Sequence, residues 1–130
     1  MLSLKIITPT GLYKTCDIEA LHVKTVEGEL TLLPHHMPIV AMLTTCKLSL
    51  RLQGVDSDYA INGGMLHLHD NHICLLTDTI ESKEEIDIER ANRAKERAEA
   101  RLSQKAESID IKRAELALQR ALNRVHVYHN

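Results

Sequence analysis

Residues 80–102, IESKEEIDIERANRAKERAEARL, mark the point at which the character of the chain changes. This stretch contains no glycine or proline, because all five glycines and all three prolines of the 130-residue chain lie within residues 1–64. The last 50 residues hold 21 of the 34 charged residues. Turns between short strands use glycine and proline, whereas long helices avoid them. We therefore place a domain boundary at Ile80–Ser82, between residues 1–82 and residues 83–130.

The first domain shows the alternation of apolar and polar residues that is typical of β-strands. Alternating stretches occur at Leu2–Ile6, Cys16–Ala20 and Lys47–Leu52. Turn signals occur at Thr10-Gly11, Glu27-Gly28, Gln53-Gly54, Gly63-Gly64 and Asp70-Asn71. The distances between these signals predict a β-sandwich or flattened barrel of about eight to ten short strands.

The second domain is predicted to be an antiparallel two-helix hairpin, with helices at about Asp87–Leu102 and Asp110–Val127. Asp87 and Asp110 are N-cap candidates, and Ser82 with Glu85 has the spacing of a capping box. Apolar residues, most of them alanine, repeat every three or four positions on both helices, as in coiled coils. They are Ala91, Ala94, Ala98 and Leu102 on the first helix and Ile111, Ala114, Leu118, Ala121 and Val125 on the second. Alanine contacts contribute only about 0.8 kcal/mol per methyl-sized group, so we expect a loosely held appendage.

The composition excludes several classes of protein. The net charge of −2 and three aromatic residues, all tyrosine, provide neither a basic field nor a stacking platform for nucleic acid. The three cysteines are widely spaced, so we expect them to be packing residues and not disulfide partners. This use of cysteine indicates a protein of a reducing compartment. No stretch approaches the roughly 18 apolar residues of a membrane span, so we expect no direct membrane insertion. The N-terminal MLSLKIITP lacks signal-peptide features, which predicts that the mature cytosolic protein begins here.

Several motifs together resemble the ε subunit of bacterial F-type ATP synthases, especially the Bacillus type. They are IDIERA (86–91), IDIKRAELALQRALNRV (109–125), GELTLLPHHMP (28–38), NGGMLHL (62–68) and the predicted strand Asp17–Thr25. The resemblance covers essentially the whole chain. Within the 28–38 loop, Thr31 stands where the family usually has glycine, and His35 stands where glycine or another small residue is common. These two departures bear on the exact shape of the loop and not on the resemblance.

The resemblance implies a role and not a reaction: a non-catalytic rotor subunit of a synthase driven by protons or sodium ions. It further implies a peripheral position on the cytoplasmic face of a bacterial cell membrane. The sandwich would contact the γ (shaft) subunit and the c-ring, and the hairpin would restrain ATP hydrolysis by the α/β head. Glu29 and His36 match positions that the family presents to the ring. Alternatively, both are solvated polar residues on a turn shaped by Pro34 and Pro38.

Arginine is concentrated in the predicted hairpin, which holds seven of the eight arginines. Four of them, at 90, 93, 97 and 101, lie on one face of the first helix, where like charges repel. Arg120 and Arg124 have no acidic residue three or four positions away, so an external anion is expected, and guanidinium groups suit phosphate. A solvated basic face, or a face that meets acidic loops of the head, is the alternative.

The Bacillus-type resemblance implies that this anion is ATP. The matching positions are Glu81, Ile86, Asp87, Arg90, Ala91, Arg97, Arg120 and Arg124. Because the chain has no Walker glycine loop, ATP is expected to be a regulatory ligand that is bound without hydrolysis, and no catalytic cofactor is expected.

Two other functional classes remain open from the sequence. His67 and His69 would share one face of a strand, with Asp70 and His72 just beyond, as in a zinc or iron site of a cupin-like barrel enzyme. Such a site needs a further ligand from a later strand, and the later histidines end a helix, so surface histidines beside a turn explain the cluster better. The second class is a free-standing ATP-sensing adaptor.

Overall fold

The computed structural model describes residues 1–103 and 108–129. Within them, eight strands are followed by a 3₁₀ turn and two helices. The strands are β1 (Leu2–Thr8), β2 (Gly11–Ile18), β3 (Ala20–Thr25), β4 (Gly28–Leu32), β5 (Ile39–Leu52), β6 (Val55–His69), β7 (His72–Leu76) and β8 (Ile80–Ser82). The 3₁₀ turn is Lys83–Glu85, and the helices are α1 (Ile88–Ser103) and α2 (Ser108–His129). The predicted order of a β-sandwich followed by a helical hairpin is confirmed.

The chain divides into two compact units, Met1–Ser82 and Lys83–Asn130. In the first unit the strands are hydrogen-bonded in the order β2-β1-β7-β6-β5-β3-β4, and β8 pairs with β6. The β1–β7 pairing is parallel and the other pairings are antiparallel. Turns predicted before β2, before β4, between β5 and β6 and before β7 connect antiparallel neighbours as expected.

The β5–β6 hairpin differs from the prediction of uniformly short strands, because its strands are 14 and 15 residues long. The turn predicted at Gly63-Gly64 is wrong, since both glycines lie inside β6. At this point β6 exchanges its second partner, from β8 at Tyr59–Ile61 to β7 at Met65–His69. The glycines have φ angles of 79° and 134°, which only glycine adopts readily. They therefore redirect a long strand and do not reverse it.

The stretch Cys16–Ala20, predicted as one strand, is divided between β2 and β3. Glu19 lies between the two strands, and its backbone N–H donates to the Arg51 carbonyl oxygen at 2.8 Å. The Glu19 N–H is thus bonded to β5 and not to β1. The chain therefore passes from the β1–β2 pairing to the β3–β5 pairing within a single residue.

The core of the first unit consists of 18 buried residues, all between Leu2 and Ile80. They alternate along the strands, as Leu2, Leu4 and Ile6 do on β1. Burial of alternate side chains accounts for the strand patterns that the sequence shows. The opposite side chains of the same strands are left for solvent or for partners.

In the second unit, Asp87 caps α1: its Oδ1 accepts from the Arg90 N–H at 3.1 Å. Ser82 and Glu85, the residues of the proposed capping box, span the 3₁₀ turn and precede this helix. The N-cap predicted at Asp110 is wrong, because α2 begins at Ser108. The two helices pack against each other. Their buried residues are Ala91 and Ala98 on α1 and Ala114, Ala121 and Val127 on α2, whereas Val125 of the predicted stripe is only half-buried.

Candidate functional site

Glu29, the first predicted ring contact, lies at the start of β4, one residue after the β3–β4 turn. Its side chain is exposed, and its Oε1 lies 3.8 Å from Nε2 of His22 on the adjacent strand. The Nδ1 of the same imidazole is hydrogen-bonded to the Thr31 hydroxyl at 2.7 Å. Sequence analysis missed His22, since nothing in its local pattern shows that it faces Glu29 across the β3–β4 pair.

His36, the second predicted ring contact, lies in the loop between β4 and β5 and is half-buried. Its Nδ1 is hydrogen-bonded to the Met37 carbonyl oxygen at 2.7 Å, and its backbone N–H donates to the Leu33 carbonyl oxygen at 3.2 Å. Among the contacts of residues 1–103, none joins His36 to Glu29. Glu29 and His36 therefore lie at separate positions of the 28–38 region and do not form one cluster.

His35 adopts a left-handed backbone conformation, with φ 70°. A non-glycine residue adopts this conformation at a cost in free energy, whereas glycine adopts it readily. Its backbone N–H donates to Oδ1 of Asn71 at 2.7 Å, which ties the loop to the β6–β7 turn. The backbone at position 35 thus has the conformation that favours glycine although the residue is histidine.

Four of the residues predicted to bind ATP surround the start of α1. Ile86 is buried just before the helix, Asp87 caps it, Arg90 is exposed in its first turn, and Ala91 is buried. Arg97 follows two turns later and is also exposed. One surface depression of about 540 Å³ gathers these arginines, and its lining is Arg90, Arg93, Glu96, Arg97 and Ala100.

The remaining predicted ATP ligands lie on other elements. On α2, Arg120 is exposed and Arg124 is half-buried. Arg124 already has an interaction partner in the chain, so the argument from unpaired arginines applies to Arg120 alone. Glu81 is half-buried on β8, in the first unit, and also has a partner.

An apolar surface that the sequence analysis missed lies on the outer side of β5, β6 and β7. Met42 stands opposite Met65, and Met65 stands opposite Leu76. Val40 and Met42 are 63% and 55% exposed, and Met65 and Leu76 are each more than one-third exposed. The available signal was the run Ile39–Leu43, which is apolar on both faces of a strand and so exceeds what a single buried face requires.

The histidine cluster does not form a metal site in the part of the chain that is described. No group of three or more His, Cys, Asp or Glu side chains among those residues is arranged to hold a metal ion. His72 instead has its Nδ1 hydrogen-bonded to the Asp70 carbonyl oxygen at 2.7 Å. The arrangement is that of polar residues beside the β6–β7 turn.

The three cysteines are free thiols. Burial raises the pKa of the Cys46 thiol above its ordinary value, and desolvation likewise raises the pKa of Cys16. A raised pKa keeps a thiol protonated and unreactive at neutral pH. Both cysteines therefore behave as packing residues.

Comparison with known proteins identifies the family. The ATP synthase delta/epsilon chain beta-sandwich domain matches residues 1–83, and the long alpha-helix domain of the same chain matches residues 84–128. The epsilon chain of Halalkalibacterium halodurans is 44% identical over 127 residues, which are 97% of this chain and 96% of the relative. That of Bacillus licheniformis is 43% identical over 126 residues, with coverage of 97% and 96%.

Solved structures agree with this result. A chain of the mitochondrial ATP synthase of Euglena gracilis, solved as an OSCP/F1/c-ring assembly, superposes with a TM-score of 0.80 at 28% identity, covering 91% of this chain and 75% of that one. A chain of the central stalk and c-ring of the Tetrahymena thermophila enzyme has the same fold, with a TM-score of 0.65 at 15% identity and coverage of 98% and 96%.

No helix in the described residues is long and apolar enough to cross a membrane.

Epsilon chains are non-catalytic subunits of ATP synthase, which excludes the barrel-enzyme alternative. Both domains match in order, and relatives above 40% identity extend over nearly the full length of the chain, so the chain belongs to the ATP synthase delta/epsilon family.

Proposed function

We propose that this chain is a central-stalk rotor subunit that couples ion translocation to ATP synthesis and restrains ATP hydrolysis through an ATP-responsive hairpin. Its site of action would be the cytoplasmic face of the cell membrane. The observation that carries the ATP-responsive part is the placement of the hairpin arginines relative to the buried alanines.

On α1 the arginines stand beside the surface that faces α2. Successive residues of a helix are about 100° apart, so Arg90 and Arg97 lie about a quarter turn from the line through Ala91 and Ala98. Both alanines are buried, at 4% and 2% exposure, and mark the contact with α2. The two arginines are therefore next to the interhelical groove and remain exposed.

The same relation holds on α2. Arg120 lies about a quarter turn and Arg124 about a sixth of a turn from the line through Ala114 and Ala121, in the same rotational sense as on α1. These alanines are 1% and 0% exposed. The helices are antiparallel and face each other through the alanines. Because the arginines are displaced from the alanine line in the same rotational sense on both helices, both arginine pairs lie on one side of the hairpin.

The alanine spacing also indicates which residues of the two helices lie at the same height along the hairpin axis. Both alanine pairs are spaced by seven residues, so we infer the antiparallel register in which Ala91 is level with Ala121 and Ala98 is level with Ala114. On this register Arg90 lies between Arg120 and Arg124, about 3 Å from each along the axis at about 1.5 Å per residue. On this register, the guanidinium groups of Arg90, Arg120 and Arg124 would converge near the start of α1.

Such a convergence favours a polyanion. Arg90 and Arg120 are both exposed, and like charges repel at this distance unless an anion lies between them. Guanidinium groups bind phosphate oxygens in paired hydrogen bonds. The triphosphate of ATP matches this need, and the relatives are ATP synthase chains. ATP at a hundred times its dissociation constant would add about 2.7 kcal/mol to the folded hairpin. That amount is comparable to the stability of alanine-mediated packing, so ATP would favour the folded hairpin and relieve inhibition.

The sandwich would hold the subunit on the rotor. The exposed apolar patch of Val40, Met42, Met65 and Leu76 is of a kind that marks a protein interface, and we assign it to the shaft subunit. The structural relatives, which come from F1/c-ring and central stalk/c-ring assemblies, support a partner of this kind. Glu29 and His36, at separate points of the 28–38 region, would contact the c-ring.

Calorimetric titration of the full chain with ATP tests the regulatory site. The native chain should bind ATP, and Arg120→Ala combined with Arg124→Ala should abolish the binding, while circular dichroism shows that the fold is retained. Lys112→Ala is the matched control, because it removes an exposed positive charge of α2 about 12 Å from Arg120 along the axis. Unchanged affinity in the double variant would contradict the site, and no binding by the native chain would contradict the switch.

A further inference from the structure

Glu29 is not an isolated carboxylate. His22 on β3 places Nε2 3.8 Å from the Glu29 carboxylate, and its Nδ1 is hydrogen-bonded to the Thr31 hydroxyl at 2.7 Å. Thr31 lies directly opposite His22 in the β3–β4 register, which fixes the hydroxyl beside the ring. The imidazole is therefore held at one nitrogen and turned toward Glu29 with the other.

The Thr31 hydroxyl suits both charge states of the imidazole. A hydroxyl accepts a hydrogen bond from the Nδ1–H of a protonated ring and donates one to a neutral Nδ1. Protonation of His22 thus changes its charge without requiring the ring to turn. Valine at position 31 would have the same shape as threonine but neither capacity.

The other charges around His22 are constant over the pH range in which histidine titrates. Lys24 stands opposite Glu29 in the β3–β4 pair, and on β5 Ser49, opposite His22, is flanked on the same face by Lys47 and Arg51. Lysine, arginine and carboxylate side chains keep their charge between about pH 6 and about pH 8, whereas imidazole does not. His22 is thus the imidazole that lies beside the Glu29 carboxylate.

We propose that His22, oriented by Thr31, is a positioning residue that controls how freely Glu29 is presented to its partner. This inference rests on the proposed ring contact of Glu29. When His22 is protonated, its positive charge attracts the carboxylate toward the sheet and competes with a cationic group on the partner. When His22 is neutral, Glu29 is available to that cation, so binding of this subunit strengthens as the pH rises.

The test uses membrane vesicles that carry the ATP synthase stripped of this subunit, to which the full chain is added back. The measurement is the chain concentration that restores half of the ATP-driven ion pumping, at about pH 6 and about pH 8. His22→Gln should match the native chain at the higher pH and need about two- to fivefold less protein at the lower pH, the range of a surface ion pair. Thr31→Val should behave like His22→Gln, and Thr31→Ser should behave like the native chain.

Two further variants separate the possible results. His69→Gln, at an exposed histidine of β6, should follow the native chain at both pH values. Glu29→Gln should need more protein at both pH values. If Glu29→Gln restores pumping as well as the native chain does, the ring contact and this inference both fail. If Glu29→Gln is weaker but His22→Gln follows the native chain at both pH values, the ring contact stands and the role of His22 is wrong.

Discussion

Single residues with positive φ hold the turns that surround the candidate ring contact. His35, Asp70 and Asn71 have φ angles of 70°, 50° and 61°, which non-glycine residues adopt at a cost. The bond from the His35 N–H to the Asn71 side chain offsets part of that cost. Two strained positions therefore stabilise each other across the 33–38 loop and the β6–β7 turn.

Gly64 is the residue whose replacement should be most damaging in the sandwich. A Cβ at this position would overlap the Leu76 carbonyl oxygen, and the φ of 134° is itself unfavourable for other residues. Gly28 is a matched control, because its φ of 131° is nearly the same and no atom lies near its Cβ position. Gly28→Ala should cost about 1–3 kcal/mol from backbone strain, and Gly64→Ala should cost a further 1–3 kcal/mol or so from overlap.

Urea unfolding of the two variants measures this difference in the free energy of unfolding. Equal destabilisation in Gly64→Ala and Gly28→Ala would show that β7 does not approach β6 as closely as described.

At the scale of elements, α1 and α2 pack against each other through buried alanines. Ala91 and Ala98 on α1 and Ala114 and Ala121 on α2 are all buried, whereas the arginines beside them are exposed or half-buried. Small side chains let two helix backbones approach closely, but they bury little apolar surface. The pairing is therefore specific in geometry and modest in free energy, as the proposed switch would require.

Ala98→Leu should disrupt this packing. The larger side chain does not fit between closely spaced helices, so we expect a loss of about 1–3 kcal/mol and a lower melting temperature of the helical signal. Ala100→Leu provides the control, since Ala100 is exposed on the same helix and should be nearly neutral. Thermal melts followed by circular dichroism compare the two. Equal melting temperatures would contradict an alanine-mediated contact at Ala98.

At the scale of the whole molecule, the chain divides into two compact units, and we expect the first to be stable by itself. The 18-residue core lies entirely between Leu2 and Ile80, and the helices contribute no residue to it. In the second unit, α1 and α2 pack against each other. Loss of the hairpin should thus remove the proposed regulation without unfolding the sandwich.

A chain that ends at Glu84 should therefore fold. We expect a β-type circular dichroism spectrum and one cooperative unfolding transition, because the complete core and all the strand pairings are retained. The full-length chain, measured in parallel, gives the reference for cooperativity. A truncated chain without a cooperative transition would show that the hairpin is required for the stability of the sandwich.

The sequence by itself determined what depends on local pattern. The division near Ile80–Ser82, the order of strands and helices, four of the five predicted turns and the alanine stripes follow from composition and spacing. Family motifs in the same sequence indicated the delta/epsilon family and the candidate residues of both sites. Local spacing is sufficient for these features because strand and helix periodicities act over only a few neighbouring residues.

Only the tertiary structure decided which distant residues face each other. The passage of β6 through Gly63-Gly64, the outward position of Met42 and Met65, and the pairing of His22 with Glu29 all depend on strand register. A shift of one residue in register would move each of these side chains to the opposite face. Register is set by packing of the whole sandwich and not by the residues on either side, so no local pattern contains it.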